Sequence, residues 1–116
     1  MTMEDPAERR HRERLQIVQE VFNQKTGISL GHTADLNAYG MMLISKTSFP
    51  VGETLRVSLD IPTGKKGSIR TSLSAECRWS DPFKGTELHN SGFRFIYPTR
   101  FDIEYIETLF YGISTE

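Results

Sequence analysis

The strongest constraint on the fold is an alternation of apolar and polar residues over two stretches, which is strict over residues 55–61 and is broken only by Thr71 over residues 69–79. A period of two is typical of a β-strand that buries one face and exposes the other. Residues 62–67 between them are rich in Pro, Gly and Lys, so we expect a turn that sends the second strand back along the first. The apolar face of the second strand is predicted to bury Cys77, as an unreactive thiol, together with Trp79.

Four further strands are predicted from shorter patterns. They fall within residues 15–22, 28–36, 41–45 and 92–97, with residues 80–90 as a polar loop. The first stretch fits a helix or a strand, and a strand is favoured because a loop ending in Gly27 follows it. Residues 41–45 form a short apolar run, so both faces of that strand are predicted to be buried. In the last strand, Phe93, Phe95 and Tyr97 would share one face.

One helix is predicted at the C-terminal end, beginning within residues 98–102. Thr99 is the expected N-cap, and Asp102 lies three residues further on. The expected apolar stripe and the glycine that ends the helix are Ile103, Ile106, Leu109, Phe110 and Gly112. About six antiparallel strands with alternating faces close most readily as a small barrel or a strongly bent sandwich, and the helix could plug one end. The predicted fold class is therefore all-β with one C-terminal α-helix.

Composition limits the class of protein. A length of 116 residues favours one domain, and 37% apolar with 25% charged residues fits a globular chain. A net charge of −1 argues against binding of nucleic-acid polymers. No apolar run reaches the ~18 residues of a membrane span, so we expect no membrane insertion. A single cysteine fits a reducing compartment, and we expect a cytoplasmic protein.

Catalytic and metal-binding patterns are weak. The histidines His11, His32 and His89 are scattered and lack the spacing of metal ligands, so we expect no metal site. No nucleophile and base can be paired from the sequence. We therefore expect a protein that is not an enzyme.

Two polar features stand out from the strand pattern. Residues 35–40 place an acid, an amide and a glycine in one corner, which fits either a hairpin turn or a polar ledge for a ligand. Residues 8–14 hold four arginines, which fit either a solvated arm or a ligand clip. An arginine guanidinium can pair with phosphate, stack on a purine or bond the O6/N7 edge of guanine.

Together these features resemble the PilZ family, whose two ligand motifs are RxxxR and (D/N)xSxxG. Arg10 and Arg14 match the first motif, and Asp35, Asn37 and Gly40 occupy the positions of the second. The order and spacing of the motifs agree, and the resemblance extends over roughly residues 9–111. It implies a six-stranded antiparallel β-barrel with a C-terminal helix, and a receptor for the bacterial second messenger cyclic di-GMP.

The resemblance also implies the ligand-binding residues. They are Arg10, Arg14, Asp35 and Gly40, together with Arg9 as an additional contact and Asn37 at the Ser position of the motif. The arginines would hold guanine and phosphate, and Asp35 would contact the guanine base. Asn37 departs from the family pattern, which has Ser at this position. Asn can both donate and accept a hydrogen bond, but it is bulkier.

The leading hypothesis is a cyclic di-GMP receptor that needs no cofactor. Residues 1–14 would be a mobile arm that the ligand orders against a barrel formed by residues 15–116, which changes the surface offered to an unidentified protein effector. The alternative is a PilZ-like scaffold that binds protein partners and no nucleotide. The Asn37 substitution favours this alternative.

Arg10→Ala and Arg14→Ala are each expected to weaken cyclic di-GMP binding by roughly 10- to 150-fold, because losing a hydrogen bond to a charged group costs about 1.5–3 kcal/mol. The arm has no apolar stripe, so the melting temperature without ligand is expected to stay unchanged. Calorimetric titration and thermal unfolding measure the two effects. Unchanged binding in both variants would mean that the arm is only a solvated tail.

Overall fold

Six antiparallel strands and one helix make up the computed structural model, which describes residues 18–62 and 67–111. The strands are β1 (Glu20–Asn23), β2 (Ser29–Asn37), β3 (Gly40–Ser45), β4 (Thr54–Pro62), β5 (Ser68–Pro82) and β6 (His89–Ile96), and the helix is α1 (Arg100–Tyr111). The predicted fold class is confirmed, and of the two arrangements left open the barrel is the one formed. Residues 1–14 and 15–17, assigned to the arm and to the start of the first strand, lie outside the described residues.

The strands close in the order β1-β2-β3-β6-β5-β4, because the short strand β1 pairs with both β2 and β4. Alternate side chains of every strand point into the barrel. Its core is formed by Val21, Leu36, Met41, Leu43, Val57, Leu59, Ile61, Leu73, Ala75, Cys77, Phe93, Phe95 and Ile106. The alternation over residues 55–61 correctly predicted which residues of β4 face this core.

Within the described residues, register shifts interrupt three of the strand pairings: one lies between β1 and β2 after Val21, and the other two are β-bulges. One bulge lies in β2 between Thr33 and Asp35, and the other lies in β5 between Cys77 and Trp79. A bulge places one extra residue on one strand, so the side chains after it change face. The prediction that Trp79 is a core residue was wrong for this reason: its side chain lies on the outer face and is 40% exposed.

Three further expectations need correction. Strand β3 buries only alternate residues, since Met42 and Ile44 are half-buried on the outer face. Strand β6 ends at Ile96, and Tyr97 adopts a left-handed φ of 46° with its side chain 94% exposed, so it does not share the face of Phe93 and Phe95. The loop expected at residues 80–90 is shorter, because β5 continues to Pro82 and β6 begins at His89.

Helix α1 begins with the predicted capping box. The Thr99 backbone N–H donates to Asp102 Oδ2 at 2.9 Å, and the Asp102 N–H donates to Thr99 Oγ1 at 3.1 Å. The helix packs against β4 and β5 and inserts Ile106, which is fully buried in the core. The helix therefore covers the barrel as expected. The side chains of Leu109 and Phe110, and Gly112, lie outside the described part.

Ile106→Ala is expected to lower the free energy of unfolding by about 2–4 kcal/mol, because it removes buried methyl groups and leaves a cavity between helix and barrel. Glu107→Ala is the matched control, since Glu107 is the exposed neighbour on the same helix. Denaturant unfolding measures both variants. Equal effects in the two variants would show that α1 contributes no packing to the barrel.

Candidate functional site

The turn between β2 and β3 is organised by Asn37. Its side-chain Oδ1 accepts hydrogen bonds from the backbone N–H groups of Tyr39 at 2.7 Å and Gly40 at 3.1 Å. Asn is well suited to this role because its short side chain reaches the backbone two and three residues on. The side-chain oxygen is therefore engaged in the turn, and the Nδ2 amide group is the donor that Asn37 can offer elsewhere.

Gly40 allows strands β3 and β6 to approach each other closely. Its φ is not in the positive range, so conformational freedom is not what requires glycine here. A Cβ at this position would overlap with the backbone oxygen of Phe93 on the neighbouring strand β6. Glycine is therefore required at this position by the close approach of β6.

Strand pairing places two rows of residues across the outer face of β2, β3, β6 and β5. The first row is Asp35, Met42, Gly92 and Trp79, and the second row is Asn37, Gly40, Arg94 and Glu76. Both bulges are needed for this arrangement, since they turn Asp35 and Trp79 outward. Each row contains one glycine in its middle, so two of the four central positions of this face carry no side chain.

An open groove of about 410 Å³ lies over this face. Its lining residues are Asp35, Asn37, Tyr39, Gly40, Met41, Met42, Arg78, Trp79, Gly92, Phe93 and Arg94. The indole of Trp79 lies directly over Gly92, where a Cβ would overlap with the ring. The groove thus has an acid and an amide on its β2 side, and an indole with two arginines on its β5 and β6 side.

The two arginines share one carboxylate. Arg78 Nη1 lies 3.3 Å and Arg94 Nη2 3.4 Å from the same oxygen, Oε1 of Glu76. The arginine side chains are 54% and 60% exposed, so both reach solvent at the groove. We call these three residues the β5–β6 charge cluster. Its net charge is positive, because two guanidiniums face one carboxylate.

The structure brings together part of the predicted site. Asp35, Asn37 and Gly40 line one groove, whereas Arg9, Arg10 and Arg14 lie outside the described residues. The sequence reasoning did not propose Trp79, Arg78 or Arg94 as site residues. The bulge that exposes Trp79 does not change the hydrophobic pattern of the sequence. The one available signal was a glycine at position 92, within a strand, which indicates that another group lies close to the backbone.

The remaining candidate groups outside the groove are structural. Burial raises the pKa of the Cys77 thiol, which fits the predicted unreactive cysteine. The hydrogen bond from Arg70 holds the pKa of Asp60 below its ordinary value in an exposed ion pair.

Among the described residues, no three His, Cys, Asp or Glu side chains are placed to hold a metal ion. Over residues 18–62 and 67–111, no helix has the length and apolar character needed to cross a lipid bilayer.

Comparison with known proteins identifies the fold. No protein-family model and no curated protein matches the sequence. Among solved structures, the Bacillus subtilis inhibitor of motility MotI/DgrA matches 85% of this chain with a TM-score of 0.70 and 17% identity. The chain spans 47% of the length of that protein, about half. At this identity the likeness shows the fold alone, and it supports the PilZ-like barrel implied by the sequence motifs.

Asn37→Ala is expected to lower the free energy of unfolding by about 1–2 kcal/mol, because two backbone donors of the β2–β3 turn lose their acceptor. Asn37→Asp keeps an oxygen at the same place and is expected to remain within about 0.5 kcal/mol of the parent protein. Denaturant unfolding without ligand measures both. Equal stability of all three proteins would show that the side chain does not hold the turn.

Proposed function

We propose that this protein is a cyclic di-GMP receptor that acts by binding and not by catalysis. The observation that carries the proposal is the groove, whose two sides differ in chemistry. Asp35 and Trp79 are three strand spacings of ~4.8 Å apart along the curved barrel wall, so their Cα atoms lie at most about 14 Å from each other. A guanine nucleotide carries hydrogen-bond donors, acceptors, a flat aromatic face and a phosphate, and the groove offers a complement to each of them.

The β2 side suits the edge of a guanine base. A carboxylate accepts hydrogen bonds from the N1–H and N2–H₂ donors of guanine, and Asp35 supplies that group in the groove. The Asn37 Nδ2 group is a donor that suits the O6 or N7 acceptor of guanine. This pairing would distinguish guanine from adenine, because adenine lacks the N2 donor and the O6 acceptor.

The β5 and β6 side suits the face of the base and a phosphate. An exposed indole is a stacking platform for purines, and Trp79 is supported from below by Gly92. Arg78 and Arg94 lie beside it with exposed guanidiniums that can bond phosphate oxygens. The groove therefore offers contacts beyond those that the two sequence motifs imply.

The anchoring of the chain before β1 favours a role for the N-terminal arginines. The Gln19 N–H donates to Thr33 Oγ1 at 3.0 Å, and the Thr33 N–H donates to the Gln19 carbonyl at 2.9 Å. Gln19 is thus held beside β2, two residues from Asp35 in that strand. Arg14 precedes Gln19 by five residues, a length of chain that spans at most about 18 Å. This short connection supports the proposal that the RxxxR motif contributes to the groove.

The proposed action is a switch in the surface offered to a protein effector. Ligand that bridges the arm arginines and the groove would order the arm over the barrel, provided that it binds the ordered state more tightly. We place the protein in the cytoplasm, where its single thiol would stay reduced. A solved protein with this barrel is named as an inhibitor of motility, which supports a regulatory role.

A second candidate function is a protein-interaction scaffold that binds no nucleotide. The engagement of Asn37 Oδ1 in its own turn favours it, because that oxygen is then not free to accept a hydrogen bond from a ligand. Titration with cyclic di-GMP separates the two candidates, since a scaffold of this kind is expected to bind no cyclic di-GMP at any concentration.

Purified protein is expected to bind cyclic di-GMP with micromolar or tighter affinity, and GMP and GTP much more weakly. Trp79→Ala is expected to weaken binding by roughly 5- to 150-fold, because stacking of a base on an aromatic side chain contributes about 1–3 kcal/mol. Trp79→Phe is expected to retain part of the affinity. Calorimetry measures the constants, and the emission of Trp79, the one tryptophan of the chain, reports binding at the groove.

Phe83→Ala is the matched control for the loss of an exposed aromatic ring. Phe83 is 37% exposed and lies in the β5–β6 turn, at the other end of the barrel from the β2–β3 turn. Its replacement is expected to leave binding unchanged. No heat and no emission change at high ligand excess, in low and in moderate salt, would reject the receptor and leave the scaffold.

A further inference from the structure

The β5–β6 charge cluster is loosely bonded in comparison with the Arg70–Asp60 pair on the same barrel surface. Arg70 bonds Asp60 through two nitrogens at 2.7 and 2.9 Å, with one carboxylate oxygen for each. In the β5–β6 charge cluster both guanidiniums converge on one oxygen of Glu76 at 3.3 and 3.4 Å. Charge-assisted bonds are strong near 2.7–2.9 Å. Glu76 therefore holds its two arginines weakly.

Most of the hydrogen-bonding capacity of the two arginines remains available. Each guanidinium carries five N–H donors, and within the described part of the chain Arg78 and Arg94 bond only Glu76. Arg94 stands directly opposite Gly40, which has no side chain to cover it, and Arg78 is the extra residue of the β5 bulge. Both guanidiniums are thus presented to the groove.

We propose that Arg78 and Arg94 form an anion subsite for a phosphate group, and that Glu76 is a built-in competing anion that weakens the binding of any phosphate there. A phosphate entering between the guanidiniums would come within a few ångströms of the Glu76 carboxylate, and like charges at that distance repel. Free inorganic anions would bind poorly. A ligand that also contacts Trp79, Asp35 and Asn37 would overcome the repulsion.

The proposal rests on the proposed function for the identity of the natural ligand, whereas the subsite is defined by three side chains and can be tested with an inorganic anion. Pyrophosphate is the probe, and calorimetry together with Trp79 emission is the measurement. Glu76→Gln keeps the size of the side chain and an oxygen acceptor but removes the charge. It is expected to bind pyrophosphate about three- to tenfold more tightly than the parent protein.

Three further variants isolate the cause. Asp60→Asn is the matched control, because it also removes one carboxylate charge from an arginine pair on the outer surface of the barrel, away from the groove. It is expected to leave pyrophosphate binding unchanged. Glu76→Asp keeps the charge and is expected to bind like the parent. Arg94→Gln, added to Glu76→Gln, is expected to abolish the gain. Thermal unfolding checks that each variant is folded.

The outcomes separate the subsite from the receptor function. Equal pyrophosphate affinity in Glu76→Gln and Asp60→Asn, weaker binding in Glu76→Gln, or no pyrophosphate binding by folded Glu76→Gln would each overturn the proposal. Tighter pyrophosphate binding in Glu76→Gln without any response to cyclic di-GMP would retain the subsite and reject the receptor. Cyclic di-GMP binding that is equally strong in Glu76→Gln and the parent would retain the receptor and overturn the competing role of Glu76.

Discussion

The groove depends on two changes of strand register, one in β2 and one in β5. In an uninterrupted strand, Thr33, Asp35 and Asn37 would share a face, and the buried position of Thr33 would carry both polar groups into the barrel. The bulge after Thr33 lets both Thr33 and Leu36 point inward, so Asp35 and Asn37 point outward together. A carboxylate is costly to bury in an apolar interior, and the bulge keeps Asp35 on the outer side of the barrel wall, where it is half-buried.

The bulge in β5 has the same consequence for the other side of the groove. Without it, Trp79 would follow Cys77 into the barrel and Ser80 would face solvent. With it, Ser80 turns inward and its hydroxyl pairs with the buried Ser91 hydroxyl at 2.8 Å, while the indole lies outside over Gly92. At this level the inward-facing positions of β5 and β6 thus hold two serines that hydrogen-bond to each other.

The hydrophobic pattern predicted what depends on regular geometry. The alternation over residues 55–61, the capping box of Thr99 and Asp102, and the all-β class with one helix follow from local periodicity and local hydrogen bonds, and they were predicted correctly. The bulges were not predicted, because their stability comes from contacts between strands distant in sequence. One missed bulge was enough to place Trp79 on the wrong side of the barrel wall.

The corner at residues 35–40 was recognised from composition, but its internal hydrogen bonding could not be. The same three residues would serve a plain hairpin corner, and the structure shows that Asn37 does serve the turn. Asn37 can serve both the turn and the groove, because the two ends of its amide group differ. The oxygen accepts hydrogen bonds from the backbone, and the nitrogen remains a donor. A serine in this place has a single oxygen for both tasks. In Asn37 the side-chain oxygen therefore has the structural role, and the side-chain nitrogen is left for ligand recognition. Toward a ligand, this side chain acts as a hydrogen-bond donor. An acceptor edge such as O6 or N7 of guanine suits this donor, and a donor at the same position of a ligand would not.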